Sequence, residues 1–333
     1  MMDQLFSIHS PWPKTYKADL SIASVHIRMH FISQESQQIF TRPFRHLLIA
    51  EGMESTPDLQ IYIRHDKPGQ TPLEVWRQFD QNSTEERQRQ LYNKDGQVLL
   101  YQHDSKVLAG YDRHTQKAYY YIPKLDMLPF YEKAAPMRMI FHHLAQSQGW
   151  SLVHSASIGL DNKGVLLIGA GGSGKTTTAL SAAFSGFTYL GDDYVLLNPQ
   201  DNTILSLYQS GKFRWDSSQI LEELNNLAVN PRTDKKGFFF LDEIDANVSK
   251  SLPFCGIVIP KIGGLESTTF HRIPSAKALL FLSASTIFQM PGSGQATLKN
   301  ISKAIQHVPA YEVTLGNHTK EINQQLRKLI KGL

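Results

Sequence analysis

Two hydrophobic patterns divide this chain. Over residues 1–125 the apolar positions favour a period of two. Leu59, Ile61 and Ile63 alternate cleanly with Gln60 and Tyr62, and residues 18–27 alternate in part. Residues 97–101 and 118–122 are rich in β-branched and aromatic side chains, with a turn expected to open at Tyr111-Asp112-Arg113 between them. This half predicts a small β-rich antiparallel domain over 1–130. From residue 132 the period changes. Ala135, Met139, Ile140, Leu144 and Ala145 recur at helical spacing, predicting an amphipathic helix that Gly149 ends and that opens a second domain over 131–316. A last amphipathic helix, with Ile322, Leu326 and Ile330 inward, closes the chain over 317–333.

Within the second domain, strand-like and helical patterns intermix, so the class is α/β. Residues 151–160 read as a strand, and Asp161-Asn162-Lys163-Gly164 as a hairpin turn. With Asn162-Lys163 as the two-residue loop, residue 154 falls across from residue 171. The apolar run Val165-Leu166-Leu167-Ile168 then enters the glycine-rich segment 169–176, and a helix follows. Residues 187–190 and 203–208 read as strands; 217–227, 275–288 and 296–307 read as helices; 310–315 reads as a strand.

Composition changes this picture little. The chain has 333 residues, 41% of them hydrophobic, which suffices for one or two packed domains. Its net charge of +4 comes from scattered basic residues, with a small cluster at Arg327, Lys328 and Lys331, so nucleic-acid binding is not expected. No apolar run is long enough to span a bilayer, and no signal peptide is read at the start. A cytoplasmic protein without membrane contact is expected, with homo-oligomerisation open. The single cysteine, Cys255, reads as a buried core thiol. His26, His30, His46, His65, His103 and His114 lack metal-ligand spacing and read as surface residues.

The candidate chemistry begins at 169–176. Strand, glycine loop and helix, with the spacing G-x-x-x-x-G-K-[ST], form a phosphate-binding pattern. Gly169, Gly171, Gly172, Ser173 and Gly174 allow backbone N–H groups to face phosphate. Lys175 adds a charge near the β- and γ-phosphates, Thr176 offers a hydroxyl to Mg²⁺, and Thr177 continues the helix start. One helix and one strand later stand Asp192 and Asp193, expected at the carboxyl end of a strand beside the loop strand. Adjacent carboxylates beside Mg-ATP can divide the work, one toward the metal and one accepting a hydroxyl proton. Asp193 joins Thr176 as a metal candidate, and His154 reads as a proton or phosphate partner. Lys212 and Arg214 are equally readable as phosphate contacts or solvated surface charges.

A second acidic pair competes. Phe238, Phe239, Phe240 and Leu241 precede Asp242-Glu243, the pattern of a Walker B strand in AAA+ ATPases. Against it, Lys235-Lys236-Gly237 reads as a hairpin turn, no polar sensor ends the strand at 255–260, and Asp192-Asp193 would have no role.

His154, the loop 169–176 and Asp192-Asp193 together resemble, in order and spacing, the catalytic domain of HPr kinase/phosphorylase, a P-loop kinase domain of the HPr-kinase/PEP-carboxykinase-like type. The closer likeness is to HPr-kinase-like proteins of peptide-modification clusters, including lasso-peptide serine kinases. The likeness covers roughly residues 132–330, and its specific part is 154–193. It implies an ATP-dependent serine kinase acting on a protein or peptide. In it one of Asp192 and Asp193 is the base, the other acts near Mg²⁺, and Lys175 and Thr176 serve ATP. The arginine- and glycine-rich signature of the bifunctional enzymes is missing around 216–221, which points away from phosphorylase activity and from HPr as acceptor. The remaining alternatives are the AAA+ ATPase and a non-catalytic ATP-binding module.

Overall fold

A computed structural model describes residues 16–50, 56–66, 69, 73–82, 89–216, 224–290 and 294–333. The chain divides into two compact units, Met1–Ser147 and Gln148–Leu333.

The first unit is built on an eight-stranded sheet. Its strands are β1 (Tyr16–Ile22), β2 (Val25–Phe31), β3 (Leu48–Ile49), β4 (Leu59–His65), β5 (Arg89–Lys94), β6 (Gln97–Gln102), β7 (Val107–Asp112) and β8 (Lys117–Ile122). The spatial order is β3-β1-β2-β4-β8-β7-β6-β5. The expectation of a wholly antiparallel sheet fails at its centre, where β2, β4 and β8 run parallel. Parallel neighbours need crossover connections. Between β2 and β4 the chain runs through helix α1 (Gln34–Thr41), whose N-cap Ser33 accepts the backbone N–H of Ser36. Helix α2 (Glu74–Gln81) packs Val75, Trp76 and Phe79 on Leu99, Tyr101, Leu108 and Tyr121. Residues 18–27 are not one strand: Ala23, at φ 50°, turns the chain into a β1–β2 hairpin. The turn expected to open at Tyr111 opens after Asp112 instead, because Tyr111 and Asp112 belong to β7. His26 and His30 are buried rather than on the surface, His26 on Asp19 at 2.8 Å and His30 on Gln60 at 3.1 Å. Burial lowers the His30 pKa, against its hydrogen bond to Gln60.

The helix expected over 132–150 is two helices, α3 (Phe130–Ala134) and α4 (Arg138–Ser147). Pro136 breaks it. Proline disfavours helical geometry in the preceding residue, and Ala135 is extended at φ −144°, with Met137 left-handed at φ 59°. The division at 147/148 places both helices in the first unit.

The second unit carries a nine-stranded sheet with helices on both faces. Its strands include β9 (Ser151–His154), β10 (Ala156–Leu160), β11 (Lys163–Leu167), β12 (Thr188–Gly191), β13 (Tyr194–Asn198) and β14 (Thr203–Leu205). A separate ribbon pairs β15 (Ser210–Phe213) with β16 (Gly237–Phe240). The long β17 (Ser251–Leu265), then β18 (Thr269–Ile273) and β19 (Ala310–Gly316), complete the main sheet. Its path is β12-β10-β11-β17-β14-β13-β9, with β19 on β17 and β18 on β19. Strand β11 lies parallel to β17 and is buried on both faces, which is why its sequence is apolar without alternation. On one face Val165 and Leu167 meet α5 (Lys175–Phe184) and α9 (Thr319–Gly332), through Leu180, Ala183, Leu326 and Ile330. On the other, Leu166 and Ile168 meet α7 (Ser275–Gln289) and α8 (Gln295–Ile305), through Ala278, Leu282, Ile301 and Ile305. A short α6 (Leu224–Leu227) is what is described of the helix expected over 217–227; residues 217–223 lie outside the described residues. Cys255 is half-buried, not a core thiol, because Leu252 and Phe254 of the same strand take the inward positions. No described helix is long and apolar enough to cross a membrane.

Candidate active site

The glycine-rich loop joins β11 to α5. Gly169, Gly172 and Gly174 have φ of 141°, 80° and 100°, values an L side chain rarely adopts. At Gly174 an added Cβ would also lie 2.8 Å from Leu315. The loop thus needs glycine there both for conformation and for space. Lys175 folds back over it, its Nζ donating to the carbonyls of Gly169 at 2.8 Å and Ala170 at 2.9 Å. Burial lowers the Lys175 pKa, against the pull of Asp192 and Asp193. The buried Ser173 Oγ has no hydrogen-bond partner among the described residues.

The hairpin before the loop has a different register from the one expected. Its two-residue turn is Asp161-Asn162, both left-handed at φ 49° and 60°. That is the backbone of a type I′ turn, which an Asp-Asn pair tolerates. Ala156 therefore opposes Leu167. The strand expected over 151–160 also breaks at Ser155, so His154 is not across from residue 171. It ends β9 instead, opposite Tyr194 of β13. Its Nε2 lies 3.9 Å from Asp193 Oδ1, and its ring tilts against Tyr194. His154 still joins the site, through the acidic pair.

Asp192 and Asp193 connect β12 to β13. Strand β12 is not the neighbour of the loop strand, because β10 lies between them. The sheet nonetheless delivers the pair to α5: Thr176 Oγ1 donates to Asp192 Oδ1 at 3.0 Å. The other Asp192 oxygen receives the backbone N–H of Lys212 at 3.4 Å. Asp192 is 2% exposed. Asp193 turns the other way. Its backbone is left-handed at φ 66°, fixed by Ser155 N–H donating to its carbonyl at 3.0 Å. Strained backbone of this kind concentrates at functional sites. Its carboxylate is ion-paired with the Lys212 ammonium and keeps 20% exposure.

The two carboxyls are pushed apart in acidity. Burial, and then the charge of Asp193, raise Asp192 to about 7, although Lys212 and Thr176 oppose this. Burial would raise Asp193 too, but the Lys212 ammonium and His154 outweigh it and hold it well below the usual carboxylate range. Burial takes His154 down to about 4, with Lys175, Lys212 and Lys236 adding to the effect and Asp193 opposing it. His154 is thus a neutral imidazole near neutral pH.

A cleft of about 470 Å³ opens beside the loop; Asp192, Asp193 and His154 are not in its lining and border it through their partners Thr176 and Lys212. Gly172, Gly174, Lys175, Thr176 and Thr177 form one part of its lining, and Lys212, Arg214 and Lys236 another. Lys212 is 8% exposed, so it is a buried partner of Asp193 rather than a surface charge. Arg214 pairs with Asp216 in the open. Of these cations Lys212 lies in the β15–β16 ribbon and Arg214 and Lys236 flank it; in the sequence only the 238–241 half reads as a strand.

No group of three or more His, Cys, Asp or Glu side chains able to hold a metal occurs among the described residues. The Thr176 hydroxyl and Asp192 carboxyl nevertheless form an oxygen pair of the kind a hard divalent cation takes when phosphate and water complete its shell. Asp242 and Glu243 are elsewhere. They sit exposed in a 3₁₀ turn after β16, which among the described residues pairs with β15 alone and lies outside the sheet of the loop strand.

No protein-family model matches the chain, and no curated protein matches it. Among solved structures it is similar to the HPr(Ser) kinase/phosphatase from Coxiella burnetii, at 13% sequence identity and a TM-score of 0.30, over 55% of this chain and 97% of that one.

Proposed function

We propose that the second unit is an ATP-dependent kinase that transfers the γ-phosphoryl group of Mg-ATP to a serine hydroxyl of a protein or peptide. One observation carries this reading: a buried carboxyl bonded to the hydroxyl of the first helical turn stands next to a more exposed, ionised one. The glycine loop and the N-terminus of α5 would take the phosphates. Lys175 would exchange its two carbonyl partners for phosphate oxygens.

The roles of the acidic pair follow from access. Both Asp192 oxygens are engaged, one by Thr176 and one by the Lys212 backbone, and the group is enclosed. Thr176 and Asp192 would hold Mg²⁺, which would supply charge neutralisation for the phosphates. That assigns the metal side to Asp192 in place of Asp193. Asp193, ionised and partly exposed, would accept the acceptor proton, with Lys212 and His154 orienting its carboxylate. In the transfer, the serine O–H proton passes to Asp193. The serine oxygen forms a bond to the γ-phosphorus, and the bond to the bridging oxygen breaks with its electron pair leaving on ADP.

The test is direct. Purified chain, Mg-ATP labelled in the γ-phosphate and serine-bearing peptides should give labelled peptide. Asp193→Asn should abolish labelling while leaving nucleotide binding. Labelling that survives Asp193→Asn would overturn the assignment. Exposure of Asp242 and Glu243 gives the AAA+ alternative no support.

A further inference from the structure

The cations lining the cleft are not equivalent. Lys175 is held by loop carbonyls, Lys212 by Asp193, and Arg214 by Asp216. Lys236 also lines the cleft, and among the described residues its ammonium has no ion-pair partner. Its main chain, by contrast, is fixed. Asn230 Nδ2 donates to the Lys236 carbonyl at 2.9 Å, and Asn230 Oδ1 accepts the Phe238 N–H at 2.8 Å. Gly237 lies so close over the Phe213 ring that an added Cβ would sit 2.4 Å from it. The ribbon register, Lys212 opposite Phe238 and Phe213 opposite Gly237, brings Lys236 to the end that carries Arg214. A fixed backbone thus presents an uncommitted ammonium to the cleft over the glycine loop. Its field reaches Lys175 on the loop side and His154 and Asp193 on the acidic side. Lys236 shares the cleft lining with Lys175 of the loop and with Lys212, the partner of Asp193.

We propose that Lys236 is a catalytic cation that contacts the transferring phosphoryl group, reaching it from the β15–β16 ribbon while Lys175 holds the group from the loop. This rests on the nucleotide reading of the cleft. Charge on the transferred group is spread over its equatorial oxygens, and a second cation there lowers the barrier more than it strengthens nucleotide binding. No other bond changes: the proton still goes to Asp193 and the electron pair to ADP.

The experiment compares Mg-ADP with Mg-ADP plus beryllium fluoride, which fills the γ-position, on the full chain. The expected result is that Lys236→Met loses roughly tenfold or more of the affinity gained from the fluoride, with Mg-ADP affinity unchanged. Lys236→Arg should retain most of the gain. In turnover, Lys236→Met should lower kcat about 100-fold with little change in the acceptor KM. Unchanged fluoride affinity would overturn the proposal. So would an equal loss for Mg-ADP alone, or a raised acceptor KM at constant kcat, which would make Lys236 an acceptor-docking residue. A wild type that phosphorylates no serine, yet loses fluoride affinity on Lys236→Met, would sink the serine-kinase reading and leave Lys236 in place.

Discussion

Asp192-Asp193 and Asp242-Glu243 look alike in sequence and differ completely in the fold. Each follows an apolar run of strand length, and each stands downstream of a glycine-rich loop. The first pair closes β12, in the sheet that carries the loop strand, and one of its carboxyls bonds to Thr176. The second follows a strand of an isolated two-stranded ribbon and faces solvent in a 3₁₀ turn. Burial next to Lys212 and His154 splits the acidities of the first pair. Strand plus acid is therefore weak evidence of a metal or base site. What distinguishes the two is which sheet the strand joins, and that is a long-range property.

The comparison breaks most sharply at Asp193. Asp193→Asn should lower kcat by roughly 10³-fold with nucleotide affinity little changed, read from steady-state kinetics beside a binding titration. A fall in nucleotide affinity without a fall in kcat would move Asp193 out of the base role.

Asp192 sharpens the contrast through pH. Its folded carboxyl holds a proton up to about 7, against 3.8 in the ordinary aspartate. Between those values the folded state carries the extra proton, so nucleotide-free stability falls as pH rises through the window. Asp192→Asn removes that penalty. Its melting temperature should exceed wild type by at least about 2 °C near pH 8 and converge with it below about pH 4. A gap that widens on acidification would contradict the buried-carboxyl account.

Gly174→Ala imposes a left-handed alanine and a contact with Leu315. It should cost about 1–3 kcal/mol in a denaturant titration and weaken nucleotide binding. An unchanged midpoint would mean the loop relaxes freely. The smallest effect belongs to the second acidic pair: Glu243→Gln should leave phosphate transfer and ATP turnover within about twofold of wild type, since exposed substitutions away from a site change little. ATP trapped without hydrolysis in that variant would reverse the ranking of the two pairs.

Much of the fold was legible because period and punctuation agree locally. The apolar run at 165–168, the glycine loop and the helix behind it form as the pattern says, and Gly186 at φ 80° ends that helix region. The terminal helix buries Ile322, Leu326 and Ile330 as its spacing requires. What was not legible depended on register or on partners far along the chain. One turn residue, Asp161 in place of Lys163, shifts the hairpin, and the break at Ser155 sends His154 to β13. The parallel centre of the first sheet arises from crossovers that no local alternation encodes. Lys212 could be read as a surface charge because its burial comes from the pairing of β15 with β16, across a long connection. Asp192 and Asp193 were visible as a pair, but their division of roles needed Thr176 and Lys212 in place.

Phosphoryl transfer in this site turns, in the proposed reading, on Asp193 receiving the proton of a serine hydroxyl. Intact-mass analysis of serine-bearing peptides incubated with Mg-ATP tests it, using wild type, Asp193→Asn and Glu243→Gln side by side. The prediction is one phosphoryl group added by wild type and by Glu243→Gln, and none by Asp193→Asn. Equal phosphorylation by the Asp193→Asn chain, or its loss only in Glu243→Gln, would contradict the account.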